Sequence, residues 1–221
     1  MLTESTIYNM FRQMLKQQLR IRKKDEIHVS EVVQCLRKAY YYRKYGDPLT
    51  LSHLSDTKCV ILGLGICAHM GLQSLFQQLG FQVEKEVSVQ VHTSAGAFRF
   101  VGTIDLYRSD MIVELKTVNK IPDRPYEHHL RQIICYQAMA GAESGEITPA
   151  CIVYICKKDG HIKVFQVKYD SRVYSEMLER AVRLYTCLRK DVLPEPERSH
   201  LCKYCEFQFR CSEDELELDP A

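Results

Sequence analysis

The spacing of hydrophobic and polar positions changes along the chain and divides it into helical and extended stretches. Residues 6–20 carry mixed helical periodicity and run into a basic break, Arg20-Ile21-Arg22-Lys23-Lys24. Ser30 is a helix-capping residue type, and the apolar positions that follow, Val32, Val33, Cys35 and Leu36, predict a helix stopped by Gly46 and Pro48. Residues 60–79 predict a long helix ended by Gly80. The period then drops to two. Residues 81–91, 98–108 and 111–117 predict strands, with a turn at 92–97. Pro125 suits the first turn of a helix reaching Gly141. Residues 150–157 and 162–169 predict a hairpin around Asp159-Gly160, and 172–190 a final helix. Strands grouped around a central helix indicate a mixed α/β core, not the strict alternation of a doubly wound sheet.

Composition narrows the class. The chain has 221 residues, 46% of them hydrophobic and 26% charged, which supports a packed core and excludes intrinsic disorder. No apolar run approaches the roughly eighteen residues of a membrane span, and the first eleven residues are too polar for a secretion signal, so a soluble cytoplasmic protein is expected. The net charge of +2 hides an asymmetry: Glu213, Asp214, Glu215, Glu217 and Asp219 form an acidic tail. The remaining chain holds 30 basic and 23 acidic residues, a net +7 compatible with a nucleic-acid partner.

Candidate chemistry begins at the hairpin of residues 102–116. If Ser109-Asp110 is a two-residue turn, Asp105 falls opposite Glu114 on one face, and Lys116 shares that face. Ile104, Leu106, Val113 and Leu115 then point the other way, into the core. Opposed carboxylates repel unless a cation lies between them. A divalent metal on Asp105 and Glu114, with the Leu115 carbonyl as a backbone ligand, relieves the repulsion and places Lys116 near a scissile phosphate. The alternative is a Glu114–Lys116 surface pair with Asp105 unrelated. His69 lies in a helix among small residues, and Gln132 and Tyr136 are an i, i+4 pair on one helix face.

The order His69, Gly102-x-x-Asp105, Glu114-Leu-Lys116 and Gln132-x-x-x-Tyr136 resembles the RecB-type branch of the PD-(D/E)xK nucleases. The resemblance implies that His69, Asp105 and Glu114 bind Mg²⁺ or Mn²⁺, that Lys116 activates the nucleophile, and that Gln132 and Tyr136 contact DNA and support the lysine.

Ten cysteines are the unusual count. Cys202-x-x-Cys205 with Cys211 leaves a tetrahedral site one ligand short. His200, Cys35, Cys59 and Cys67 are candidates for the fourth, and spacing alone favours zinc with His200. The resemblance reverses this preference. A subgroup of RecB-like nucleases holds an iron–sulfur cluster on one upstream cysteine and a downstream C-x₂-C-x₅-C, which correspond to Cys35 and Cys202, Cys205 and Cys211. A four-iron cluster is favoured over a two-iron one. The remaining six cysteines read as buried thiols. Tyr40, Tyr41, Tyr42 and Tyr45 alternate with Arg37, Lys38, Arg43 and Lys44, a pattern suited equally to a single-strand surface or to core packing.

The expectation is thus a single PD-(D/E)xK domain over 1–221, with a mixed sheet flanked by helices and an iron–sulfur cluster joining the two ends. It divides into an N-terminal helical segment (1–59), a nuclease core (60–192) and a cysteine-rich segment with an acidic tail (193–221). The length and motifs resemble the small CRISPR-associated RecB-like exonucleases. This implies single-stranded DNA as substrate, trimming of spacer precursors for the CRISPR integrase, and a prokaryotic cytoplasm. A repair or replication nuclease working with a separate helicase, or a non-catalytic zinc-stabilised DNA-binding module, are the alternatives.

Overall fold

A computed structural model describes residues 2–17, 22–46 and 54–218. Its spine is β3 (Gly96–Arg108), whose Phe98, Phe100, Ile104 and Leu106 are fully or nearly fully buried. β2 (Gln82–Thr93) runs antiparallel along one edge of β3, from Gln82 opposite Tyr107 to Thr93 opposite Gly96. The other edge is shared. β1 (Glu26–His28) pairs in parallel with Arg99–Val101, and β4 (Met111–Val118) pairs antiparallel with Leu106–Arg108. Residues 102–105 of β3 therefore have no strand partner on that edge among the described residues. β4 continues in parallel to β5 (Ala150–Cys156), which closes on β6 (Ile162–Val167) as a hairpin with Gly160 at φ +73°.

Helices cover both faces of this mixed six-stranded sheet. On one lie α5 (Glu127–Ser144), α6 (Ser171–Lys190) and α3 (Leu36–Tyr45), packed through Ile133, Met139, Met177, Leu184, Leu36 and Tyr41. On the other lies α4 (Asp56–Gln78), whose Leu72 and Phe76 meet Phe81, Leu106, Val113 and Leu115. α1 (Glu4–Gln17) buries nothing fully and crosses α4, anchored where Arg12 donates to Asp56 at 2.7 Å. The chain closes with α7 (Gln208–Leu218), preceded by a 3₁₀ turn at His200–Tyr204.

Several sequence expectations need correction. The helix expected from Ser30 is two: α2 (Val29–Val32), capped by His28 and Glu31, and α3, whose N-cap is Cys35. The N-cap is His28, whose backbone N–H donates to Glu31 Oε2 at 2.8 Å, two positions before the Ser30 cap expected. β1 is too short, at three residues, to show a period. α5 passes Gly141 and stops at Gly145, whose φ of +85° makes the left-handed cap. α7 was not anticipated. α4 is also long and apolar enough to span a membrane by length and composition, contrary to the expectation of no such run. Here it packs on the sheet and on α1, and leaves Ile61, Leu64, Met70 and Leu75 exposed. Pro48, Arg20, Ile21 and Asp219 lie outside the described residues.

Candidate active site

The gap in β3 is where the polar residues gather. The β3–β4 turn has the anticipated register, with Arg108 opposite Met111 and Leu106 opposite Val113. The next step, Asp105 against Glu114, is not made as a ladder pair. Instead Asp105 Oδ2 accepts the Leu115 backbone N–H at 2.8 Å, so a side chain replaces the backbone carbonyl that would have continued the ladder. The strands part at this point, and side chains from both helical layers reach the same place.

From the α4 side, His69 Nε2 stands 3.1 Å from Asp105 Oδ2. From the α5 side, Gln132 Oε1 accepts from Lys116 Nζ at 3.3 Å, and Gln132 Nε2 donates to the Tyr136 hydroxyl at 2.8 Å. Lys116 Nζ donates to Glu114 Oε1 at 2.6 Å. Every sequence-predicted residue of the nuclease set therefore belongs to one connected group. Gly102 has a physical reason to be glycine: a Cβ there would lie 2.6 Å from the Tyr136 ring. The helix bearing Gln132 and Tyr136 can approach β3 only over a missing side chain.

Charges in this group are unevenly satisfied. Glu114 is 1% exposed, and its Oε2 has no hydrogen-bond partner among the described residues. Burial pushes its carboxyl above the usual range; Lys116 opposes this and Asp105 reinforces it. Burial works against the Lys116 ammonium, but the Glu114 and Asp105 carboxylates outweigh it and raise its pKa. The hydrogen bond to Asp105 raises His69 against the cost of burial. Tyr136 is pushed well up by burial and stays a neutral phenol.

One acidic residue was missed. Glu84 falls at the step of the β2–β3 ladder between Val83–Leu106 and Lys85–Ile104, opposite Asp105, and that step is unpaired. Its φ of +51° is left-handed, an uncommon state for a residue with a side chain. Gln73 of α4 donates to Glu84 Oε1 at 2.6 Å. Ligand atoms of His69, Glu84 and Asp105 all lie within 4.8 Å of one another. In sequence, Glu84 is one polar position of an alternating strand, and only its backbone conformation sets it apart.

These residues fit a divalent cation. The carboxylates of Glu84 and Asp105 and the His69 imidazole converge, and Glu114 beside them adds a buried carboxylate with one unpartnered oxygen, a hard oxygen-rich donor set of the kind Mg²⁺ and Mn²⁺ take.

A groove of about 800 Å³ leads away from the gap, between β1 and α2–α3 on one side and residues 101–105 of β3 below. Asp105, Gln132 and Tyr136 line its inner end, and Arg22, His28, Lys38, Tyr42 and Arg43 its outer part. Of the Tyr/Arg run in α3, most is structural. Tyr40 and Tyr41 are buried on Asp191 and Asp214, Arg37 is 2% exposed, and Arg43 is held by both oxygens of Glu31. Only Lys38, Tyr42 and Arg43 of that run face the groove.

The cysteines separate in space. Burial raises the Cys205 thiol, and the Cys35 thiol adds a smaller push in the same direction. The segments that carry Cys35 and Cys202–Cys211 are joined by Lys38–Glu206 at 2.8 Å, by Tyr41–Asp214 and by Tyr41 and Tyr42 on Phe207. Arg37 Nη1 contacts Cys211 Sγ at 3.7 Å, with Glu215 at 3.9 Å. Among the described residues, no three of these thiols converge within the 4.8 Å that groups His69, Glu84 and Asp105. Of the six expected core cysteines, Cys59, Cys135, Cys151 and Cys156 are buried and Cys187 is partly so. Cys67 is exposed, because its face of α4 turns outward beside Met14 of α1.

Comparison with known proteins agrees with this geometry. The chain is similar to SSO0001, whose crystal structure superposes with a TM-score of 0.71 at 20% identity over 93% of this chain and 96% of the other. It is more distantly similar to a protein described as an exonuclease from Eubacterium rectale, with a TM-score of 0.44 at 15% identity over 88% and 78% of the two chains. An alkaline exonuclease from Laribacter hongkongensis gives 0.42 at 12% identity over 94% and 99%. Only the first likeness is close enough to bear on the fold. No curated protein sequence matches significantly. The sequence profile of the PD-(D/E)XK nuclease superfamily matches residues 13–212, nearly the whole chain, and the protein belongs to that superfamily.

Proposed function

We propose that this protein is a metal-dependent exonuclease acting on single-stranded DNA. The observation that carries the reading is Glu114: a buried carboxylate with one oxygen on Lys116 and the other unpartnered, beside the His69–Asp105 pair. Such an oxygen costs about 1–3 kcal/mol unless something binds it. Mg²⁺ or Mn²⁺ would be held by His69, Asp105 and Glu114, with the Leu115 carbonyl and with Glu84 standing beside His69 and Asp105, and would supply water activation and neutralise phosphate charge.

The protein's own groups do the rest. Lys116 keeps its proton and offers a fixed positive charge to the phosphate as negative charge develops on it. Gln132, itself held by the Tyr136 hydroxyl, fixes the direction of the Lys116 ammonium. Tyr136, neutral and buried, keeps the inner end of the groove dry. The groove's volume, about 800 Å³, falls within the range of ligand clefts, roughly 300–1,000 Å³, and gives room for part of a single strand. Its basic and tyrosine lining suits a single strand read through backbone charge and base stacking.

The same reading extends to the chain ends. Cys35, Cys202, Cys205 and Cys211 would hold an iron–sulfur cluster, four-iron rather than two-iron. A buried Arg37 with one carboxylate at 3.9 Å and a cysteine sulfur at 3.7 Å supports this, because thiolates of an anionic cluster would balance its charge. On the resemblance of these motifs, the activity belongs to CRISPR adaptation in a prokaryotic cytoplasm: trimming spacer precursors beside the integrase complex.

End-labelled single-stranded DNA with Mn²⁺ or Mg²⁺ tests the activity. Linear strands should shorten from an end while circular strands persist. Unchanged cleavage by Glu114→Ala or Lys116→Ala refutes the assignment. Iron content and visible absorption of anaerobically purified protein test the cluster: a colourless, iron-free preparation refutes it.

A further inference from the structure

The groove's lining on α5 consists of Gln132 and Tyr136. Outside that lining, at the start of α5, lies an aromatic cluster that the proposed chemistry leaves unused. His128, Gln132 and Tyr136 are spaced i, i+4, i+8 and form one ridge of α5. Gln132 on this ridge reaches Lys116, and His128 stands one turn beyond it, near enough to feel the Lys116 charge. The rings of Tyr126 and His128 are stacked, with centroids 5.8 Å apart and planes 14° from parallel.

This pair is rigidly mounted. Tyr154, fully buried on β5 directly beside Lys116, has its hydroxyl at the centre. That hydroxyl accepts the Tyr126 backbone N–H at 3.1 Å and bonds His129 Nδ1 at 2.7 Å. His129 is driven down to about 3 by burial and is neutral, so the mount carries no charge. Burial, followed by Lys116, also lowers His128, which therefore presents a neutral ring. Yet Tyr126 itself remains 45% exposed. An aromatic side chain with a fixed backbone, a stacked partner, edge contacts to His129 and Tyr154 and nearly half its surface exposed is a ready platform for a flat ligand.

We infer that Tyr126 and His128 form a stacking station for the nucleobase on the Lys116 side of the scissile phosphate, so that the strand is gripped outside the groove as well as in it. The inference rests on the nuclease reading above. It assigns a positioning role: the stack fixes the register of the phosphate against Lys116 and takes no part in bond making.

Oligonucleotides carrying an abasic residue at successive positions from the labelled end test it, with kcat/KM measured in Mn²⁺. For the unaltered protein one abasic position should slow cleavage about tenfold, the effect expected of a single base–aromatic stack. Tyr126→Ala should cleave the ordinary strand about tenfold more slowly and show no further loss at that position, while Tyr126→Phe behaves as the unaltered protein. His128→Ala, which keeps the Tyr126–Tyr154 bond, gives the same reading should Tyr126→Ala fail to fold. If either alanine variant keeps the full abasic penalty, the station does not exist. Glu114→Gln run in parallel separates the two failures: its activity would sink the nuclease assignment, whereas its silence beside an unaffected Tyr126→Ala sinks only the stacking station.

Discussion

The cleft and the junction of α3 with α7 both bury charge, but they balance it differently. At the cleft the counter-charges are in place. His69 sits on Asp105, Lys116 on Glu114, and Gln132 and Tyr136 fix the lysine, leaving one oxygen of Glu114 over. At the junction a nearly inaccessible Arg37 has one backbone carbonyl at 2.7 Å, a carboxylate at 3.9 Å and a thiol. The first arrangement is pre-organised by protein groups and needs a ligand for chemistry. The second, on the reading proposed above, takes one for balance. A ligand lost from the cleft should therefore cost activity, and one lost from the junction should cost stability.

The largest expected effect is in the cleft. Glu114→Gln keeps the side-chain volume and an oxygen for Lys116 but removes the charge facing the unpartnered position. Its kcat should fall about 10²–10³-fold, the loss typical of deleting one charge-stabilising group. Its thermal unfolding should change little, because a buried carboxylate is replaced by a neutral amide. A large drop in Tm without loss of kcat would erase the contrast between the two regions.

The junction should behave in the opposite way. Cys35→Ala removes the N-cap residue of α3 and the upstream thiol. Iron and colour should disappear and Tm should fall; a ligand present at a thousand times its dissociation constant stabilises by about 4 kcal/mol. Mn²⁺ affinity, measured by titration calorimetry on protein that remains folded, should be unchanged. Coupled loss of Mn²⁺ binding would show that the two regions act as one.

What the sequence disclosed follows the same division. The hairpin register put Asp105, Glu114 and Lys116 on one face and the i, i+4 spacing put Gln132 and Tyr136 on one helix face, but only the resemblance to the nuclease pattern joined the two sets with His69. The ladder break at Asp105 was not, since a side chain taking the place of a carbonyl leaves the alternation intact. Glu84 was hidden for a related reason: a left-handed residue within a strand shifts which side chains share a face, and nothing in the local composition marks it. In the fold, long elements were recovered and short ones lost. β1 and α2 are too brief for periodicity, and α7 follows an extended, proline-rich stretch read as a linker. The Tyr/Arg run of α3 could not be divided by sequence, because burial on Asp191 and Asp214 depends on residues about 150 or more positions away.

Gly102 offers a smaller test that leaves every charge in place. In Gly102→Ala the new methyl would lie 2.6 Å from the Tyr136 ring, so α5 or the ring must move. Overpacking of this kind costs roughly 1–3 kcal/mol. Displacing Tyr136 should also loosen Gln132 and, through it, Lys116, so kcat should fall more than KM changes. Full activity with lowered stability would mean that the Gln132–Tyr136 contact supports the fold and not the lysine.

The smallest effect is the pH response of stability in the metal-free protein, which isolates the leftover charge at Glu114. Its folded-state pKa lies above that of an unfolded glutamate because burial disfavours the carboxylate. A group raised in this way adds stability that is complete below the unfolded value, about 4.3, and is lost as pH climbs through the folded value. Between those limits the unaltered protein should lose on the order of 1 kcal/mol more than Glu114→Gln does. His69 shifts in the same direction and His28 and His129 in the opposite one, so the difference between the two proteins is the quantity to follow. Mn²⁺ should flatten the difference by favouring the ionised carboxylate, and its affinity for the unaltered protein should rise over the same pH range as the proton leaves. Parallel pH curves for the two proteins, with Mn²⁺ affinity independent of pH, would mean that Glu114 is already ionised and balanced by Lys116 alone, and the cleft would then need no metal to settle its charge.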